Sequence, residues 1–274
     1  MKTPVRVGVC SWSLHPKTPQ ELAERARACG VDKIQLALDP IRRGLWDLRQ
    51  TDEVLTNAGI GVVSGMMEMK GEDYSTLQSI ERTGGVLPDE HWEANLTAAR
   101  QNASIASKLK LPLVTFHAGI LPHEPKDPRR KVIFERVRAI ADAFRQAGVA
   151  TALETGQETA LTLRDSLREL PDIGVNFDAA NMILYGKGDP RESVKILAPH
   201  IVQYHVKDAV PAKTPGTWGT EVAQGTGAVQ WREFLGLLQD EGIVKDLMIE
   251  RESGEDRVGE IRAAREIVRQ VLGV

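Results

Sequence analysis

The sequence predicts an α/β protein with one domain over residues 1–274, a (β/α)8 TIM barrel. Short β-rich runs alternate with longer helical patterns along the whole chain, as in a parallel sheet with crossover helices. Eight such runs fall within about 250 residues, the usual size of this barrel. The first strand-to-helix turn, VCSWSLHPKT, lacks the GxGxxG of a doubly wound nucleotide-binding sheet, which favours the closed barrel over the open one. A chain of 274 residues, 42% of them hydrophobic, can bury one large core.

The strands are read at 5–10 (VRVGVC), 33–38 (KIQLAL), 60–66 (IGVVSGM), 113–117 (LVTFH), 149–154 (VATALE), 173–178 (IGVNFD), 201–207 (IVQYHVK) and 247–250 (LMIE). The first helix is well punctuated. Thr18 caps it, Pro19 suits the first helical position, Glu21 completes a capping box and Gly30 suits the exit. Further helical patterns cover 91–110, 130–148 and 256–273. Two connections are long. The stretch 68–88 has room for a short extra helix, and 208–228 is rich in Gly, Pro and Thr. Long loops in compact domains often serve as lids or binding loops, and both follow the strand ends where barrel enzymes build their sites. Loop length alone places Trp218 in a lid.

Side chains alternate across a strand. In VATALE, the bulky face of Val149, Thr151 and Leu153 meets the helices, while Ala150, Ala152 and Glu154 turn inward. In IGVNFD the inward set is Gly174, Asn176 and Asp178. In IVQYHVK it is Gln203, His205 and Lys207, with Val202, Tyr204 and Val206 facing out. In LMIE it is Met248 and Glu250. Four consecutive strands thus aim Glu154, Asp178, His205 and Glu250 at one barrel mouth. A lone rim carboxylate reads as a solvated charge, but three close together would repel and raise one another's pKa values. A divalent cation removes that conflict. Oxygen ligands with one imidazole suit Mn²⁺ or Mg²⁺, with Zn²⁺, Co²⁺ or Fe²⁺ as alternatives.

The same parity turns His117 inward, as a substrate contact or as a hydrogen-bonded rim histidine. Lys207 shares the face of His205. Asn181 contacts substrate or caps the segment after it. Trp12, just past the first strand, faces a substrate's apolar side or simply packs. GTGAVQW either cradles a phosphate at a helix start or forms a turn that sets Trp231 in the outer layer. Cys10 is placed in the barrel interior and Cys29 on a helix face, while His15, His91, His123 and His200 are structural or solvated.

The segments ALETGQE, NFDAANMILYGKGDP, YHVKD, GTGAVQWREFLGLL and LMIERE together resemble the xylose isomerase-like superfamily. They are most similar to its sugar phosphate isomerase/epimerase branch, which includes ketose 3-epimerases and hydroxypyruvate isomerase. The resemblance covers nearly the whole chain and is strongest from residue 113 onward. It implies one divalent metal held by Glu154, Asp178, His205 and Glu250. It also implies that Glu154 and Glu250 act on opposite faces of the substrate, one removing a proton next to a carbonyl and the other returning one. The metal would hold the substrate oxygens and stabilise the enediolate. Two positions depart from the pattern. Many ketose 3-epimerases carry a His where this chain has Asn181, and an Arg where it has Lys207. Both positions touch substrate in the family, so Asn181 and Lys207 are expected substrate contacts, and the change argues against a simple ketohexose epimerase.

The expected function is a metal-dependent isomerase or epimerase acting on a sugar, keto-sugar or sugar phosphate. The alternative is a dehydratase or lyase in which the same enolate expels a β leaving group from a keto-sugar or inosose. An AP endonuclease ranks behind, because its three zinc ions need more ligands than these strand ends supply. A non-catalytic sugar-binding barrel also ranks behind, although ligands alone do not prove turnover. Composition narrows the partners. With 35 basic and 38 acidic residues, the net charge of −3 gives no reason to expect nucleic acid or an anionic membrane. No stretch is apolar for long enough to span a bilayer. The opening MKTPVRVGVCSWS shows no signal-peptide pattern, and the two cysteines form no CxxC, which predicts reduced thiols and a cytoplasmic location. The expected partner is a small carbohydrate. The resemblance implies that barrels of this branch often pair through loops, so a homo-oligomer stays open.

Overall fold

A computed structural model of the chain describes residues 5–214 and 216–274. In chain order, β1 (Val7–Cys10) is followed by a 3-10 turn (Ser11–Leu14), α1 (Pro19–Ala28), β2 (Lys33–Ala37), α2 (Asp39–Arg42), α3 (Leu48–Asn57) and β3 (Gly61–Met66). Then come α4 (Leu77–Thr83), α5 (Asp89–Lys108), β4 (Leu113–Phe116), α6 (Pro128–Gln146), β5 (Ala150–Glu154), α7 (Ala160–Leu167) and β6 (Ile173–Asp178). The chain continues through α8 (Ala179–Leu184), α9 (Pro190–Leu197), β7 (Ile201–Val206), the short β8 (Asp208–Val210) and β9 (Thr220–Val222), α10 (Trp231–Asp240), β10 (Asp246–Ile249) and α11 (Arg257–Leu272). Eight parallel strands close into one barrel in the order β1-β10-β7-β6-β5-β4-β3-β2. Closure is sealed where Val7 pairs with Leu247, just above a bidentate contact between Arg6 and Asp246. No described helix is long and apolar enough to cross a membrane.

The main apolar core lies between strands and helices. Phe177 of β6 stacks on Phe234 of α10 at 6.2 Å, and Trp231 meets Phe234 edge-on at 5.4 Å. Each of these fully buried aromatics contributes roughly 1.5–3 kcal/mol. The Trp231 indole N–H also donates to the Lys207 carbonyl at 3.0 Å, which ties α10 to the end of β7. A second, small apolar cluster of Cys10, Val63 and Met248 sits among the strands, as the inward placement of Cys10 requires. The buried Cys10 thiol is pushed up to about 12 by desolvation, so it stays neutral.

Local details depart from the sequence reading in two places, and a third is settled between two readings. Thr18 accepts from the Glu21 N–H at 3.2 Å, but Glu21 returns its carboxylate to the Lys17 N–H, one residue before the cap. The box is therefore offset rather than reciprocal. In β7 the strict alternation fails at Val202. Val175 pairs with Ile201 and Asn176 with Gln203, so Val202 is an extra, bulged residue, 42% exposed rather than packed under a helix. Of the two readings of GTGAVQW, the structure shows the turn that sets Trp231 at the start of α10, with no free anion cradle among the described residues. The Asp208 carboxylate accepts from the N–H groups of Ala209, Gly225, Gly227 and Val229 at 2.9–3.2 Å. A Cβ at residue 227 would lie 2.2 Å from Asp208 Oδ1, so only glycine permits this approach. The turn therefore anchors its own loop.

The expected extra helix in 68–88 is α4, and the 208–228 loop forms the antiparallel β8–β9 hairpin. Glu158, before α7, is buried and its carboxyl is pushed up to about 8 by desolvation. Below the ordinary Glu pKa of about 4.5, folded and unfolded chains both carry its proton. As pH rises toward 8 only the unfolded chain ionises, so folding stability is lost across that window. Glu158→Gln is expected to remove about 2–4 kcal/mol of this loss. Urea unfolding at pH 5 and pH 8 checks this; equal pH dependence in both proteins would show that Glu158 is not its source.

Candidate active site and metal centre

The barrel geometry delivers the four ligand candidates from neighbouring strands. Glu154 ends β5, Asp178 ends β6, His205 is the penultimate residue of β7 and Glu250 follows β10. Asp178 is in register with His205, while Glu154 is level with Asn176 and Glu250 lies two residues beyond Met248, the partner of His205, so the four side chains converge from staggered positions. One ligand atom from each lies within 4.8 Å of the others, and all four residues are buried. Asp178 Oδ1 caps α8 by accepting from Ala180 and Asn181 N–H at 2.7 and 3.0 Å. Its Oδ2 has no hydrogen-bond partner and faces Lys207 Nζ at 3.0 Å.

His205 presents a defined nitrogen. The Gly65 carbonyl can only accept, so the Gln35 amide NH₂ faces it at 3.3 Å and donates to Thr115 Oγ1 at 2.8 Å. Gln35 Oε1 is then left to accept from His205 Nε2 at 2.7 Å. The other nitrogen, Nδ1, lies 3.3 Å from both Glu154 Oε1 and Glu250 Oε2. A bare lone pair cannot face two carboxylate oxygens at that range, so Nδ1 must carry a proton or meet a cation. Without metal it carries a proton: burial opposes the imidazolium, but Glu154 and Glu250 hold its pKa well above the ordinary value.

The remaining charges are coupled to it. Burial favours the neutral acid at Glu154, yet His205 and His117 hold its carboxyl below the usual range. Burial pushes Asp178 up to about 7 despite Lys207. Glu250 is held well below the usual range, against burial, by Lys207 and His205. Three carboxylates and one imidazole nitrogen already turned to them fit a divalent cation. Binding would displace the Nδ1 proton, which makes affinity rise with pH.

The structure gives the other candidates specific places. His117 Nε2 lies 3.6 Å from Glu154 Oε2 and lines the cleft. Trp12 also lines it, and its indole N–H donates to Glu250 Oε1 at 2.8 Å, a polar contact that plain packing does not describe. Asn181 does not cap α8, since Asp178 does; its Nδ2 donates to Glu154 Oε1 at 3.0 Å. Lys207 Nζ is buried against Asp178, Glu250 at 2.6 Å and Glu252 at 3.1 Å. Asn181 and Lys207 thus grip the site's carboxylates while bordering the cleft. Trp218 lines the cleft edge-on to Tyr185 at 4.7 Å. Cys29 closes α1 in the core, and His123 Nδ1 pairs with Thr162 Oγ1 at 2.9 Å.

Gln35, Glu72, Tyr74, Tyr185 and Glu252 escaped the sequence reading. Inward parity in KIQLAL would have found Gln35. The other four come from loops, and no strand period points to them. Gln35→Leu is expected to weaken divalent-metal binding about 10–100-fold, the usual cost of losing a partner that orients a ligating histidine. Titration calorimetry checks this; unchanged affinity would mean that packing alone sets the imidazole.

Residues 21–271 match the family model for xylose isomerase-like TIM barrels, and the chain belongs to that family. It is similar to YihM, an uncharacterized protein of Escherichia coli K12, at 25% identity over 182 residues. That match covers 61% of this chain and 55% of YihM, so it spans little more than half of the relative. A solved structure of a xylose isomerase domain protein from Planctomyces limnophilus is similar at TM-score 0.84 and 29% identity, covering 92% of this chain and 93% of that one. The apo 3-keto-D-glucoside 4-epimerase YcjR from Escherichia coli shares the fold at TM-score 0.74 and 13% identity, over 97% of this chain and all of that one.

Proposed function

We propose that the chain is a divalent-metal-dependent sugar isomerase or epimerase that moves a proton on the carbon next to a carbonyl. One observation carries this reading. Two carboxylates, Glu154 and Glu250, stand at 3.3 Å on His205 Nδ1 in the floor of a cleft of about 690 Å³. That is a floor with two proton acceptors and a ligand set between them, under a space the size of a small-molecule site. Family membership supports the reading, and so does the sugar epimerase activity in YcjR's name.

In this reading Glu154, Asp178, His205 and Glu250 hold the metal, Mn²⁺ or Mg²⁺ by their oxygen-rich chemistry. When bound, the metal supplies Lewis acidity toward the substrate's carbonyl oxygen. Glu154 and Glu250 exchange the proton, one as base and the other as acid. Asn181 and Trp12 each hold one of these glutamates by a hydrogen bond, leaving its orientation fixed before substrate arrives. His117 stands next to Glu154, where it can contact a substrate hydroxyl. Lys207 holds Glu250 and Asp178 and borders the same space.

The test is proton exchange in D₂O, followed by NMR, with Mg²⁺ and a panel of ketoses and keto-sugars. Deuterium next to the carbonyl is expected. A new double bond or a released group would move the assignment to a dehydratase or lyase. Metal binding with no chemistry across the panel would overturn the enzyme reading in favour of a binding barrel.

A further inference from the structure

The charges around the cleft bear on which sugars can enter. The lining contains two fixed cations, Arg43 and Lys207, among the described residues. Neither is free. Lys207 Nζ donates to Glu250 at 2.6 Å and Glu252 at 3.1 Å and forms an ion pair with Asp178 at 3.0 Å. Arg43 pairs with Glu68 at the rim. Two more carboxylates stand at the mouth. Glu72 is fixed there by the Gly85 N–H at 2.9 Å and the Tyr74 hydroxyl at 3.2 Å. Glu252 is about half exposed beside Lys207. The backbone nest formed by the Gly225 and Gly227 N–H groups, next to the end of β7, is filled by Asp208.

We infer that the cleft selects an uncharged sugar and rejects sugar phosphates, with Glu72 and Glu252 setting that selectivity. The inference rests on the reading of this cleft as a sugar site. Glu68, Glu72, Glu154, Asp178, Glu250 and Glu252 outnumber the two cations by more than one bound dication offsets. A phosphate brings a charge of about −1.5 to −2 into that field and finds no unpaired cation or free nest to receive it. An uncharged ring meets what the cleft does offer. Carboxylate oxygens accept from hydroxyls. Trp12, Tyr74, Tyr185 and Trp218 line the cleft with aromatic surface on which sugar C–H groups can pack. The Trp218 indole N–H is buried without a partner among the described residues and can donate to a hydroxyl.

The experiment compares each sugar with its own phosphate. Binding of D-fructose and D-fructose 6-phosphate, and of D-ribulose and D-ribulose 5-phosphate, is followed by saturation-transfer NMR and calorimetry. The protein carries Mg²⁺, kept in excess over phosphate. At least one uncharged member is expected to bind, with its phosphate about 10-fold weaker or more. In Glu252→Gln, which takes one carboxylate off Lys207, and in Glu72→Gln, the ratio is expected to move toward the phosphate by about 10-fold. A phosphate that binds as well as or better than its parent sugar overturns the inference, as does a ratio that neither variant moves. No binding by any member also overturns it, because a cleft built for uncharged rings must hold one of them. These readouts need no turnover. Selective binding without deuterium exchange would defeat the isomerase reading alone, and exchange that prefers the phosphates would defeat the selectivity alone.

Discussion

Glu250→Gln and Glu154→Gln are each expected to lower solvent-deuterium exchange into a ketose by at least about 10³-fold. Each substitution keeps size and one acceptor oxygen but removes the charge and the ability to take a proton. The contacts that shape the fold remain available. An amide oxygen at 250 can still accept from Trp12, and one at 154 can still accept from Asn181, bonds that now measure 2.8 and 3.0 Å. Lys207 keeps Asp178 and Glu252 as counter-ions in the Glu250 variant. Both variants should therefore fold, by circular dichroism and thermal melting, while exchange is lost. Exchange is the better readout than net conversion, because it reports the first proton transfer even when the second is blocked. Wild-type exchange in either variant would remove that glutamate from proton transfer. Loss in one with retention in the other would reduce the mechanism to a single base.

Much of this arrangement was legible in the sequence, because a strand's period of two ties a residue's place in the run to the face it occupies. Glu154, Asp178, His205 and Glu250 each fall on the inward parity at a strand's end, and the barrel brings those ends together. The parity held where the ladder is regular and failed where it is not. Val202 is misplaced because a bulge adds one residue that no hydrophobic pattern marks. Other contacts were invisible for a different reason. Lys207 could be placed beside His205, but its grip on Glu250 and Glu252 depends on the path of the chain after β10. Asp208 carried no mark in the sequence, yet it organises residues 225–229 through the N–H groups of Gly225, Gly227 and Val229. Tyr74, Tyr185, Trp218 and Glu252 converge on the mouth from four separate loops, and only folding relates them.

Lys207→Met is expected to destabilise the metal-free protein by about 3 kcal/mol, within the range for removing one partner from a buried ion pair. The lysine is buried, and its ammonium touches both Asp178 and Glu250. Without it, the site keeps its carboxylates and loses one of their two counter-ions, leaving the His205 imidazolium. Asp178 can relieve part of the cost by taking up a proton, since burial already brings its carboxyl to about 7. Glu250 has no such escape and retains only His205 and Trp12. A dication bound by the same carboxylates supplies the missing charge, so the loss should shrink when metal is added. The variant should also bind Mg²⁺ or Mn²⁺ more tightly, because a neighbouring like charge is gone. Chemical unfolding of both proteins in EDTA and in saturating Mg²⁺ measures the first effect, and calorimetric titration measures the second. Equal destabilisation with and without metal would mean that Lys207 acts through packing. A larger metal-induced stabilisation in the variant would show the ammonium and the metal neutralising one shared set of carboxylates, with Lys207 keeping the site folded between metal-binding events.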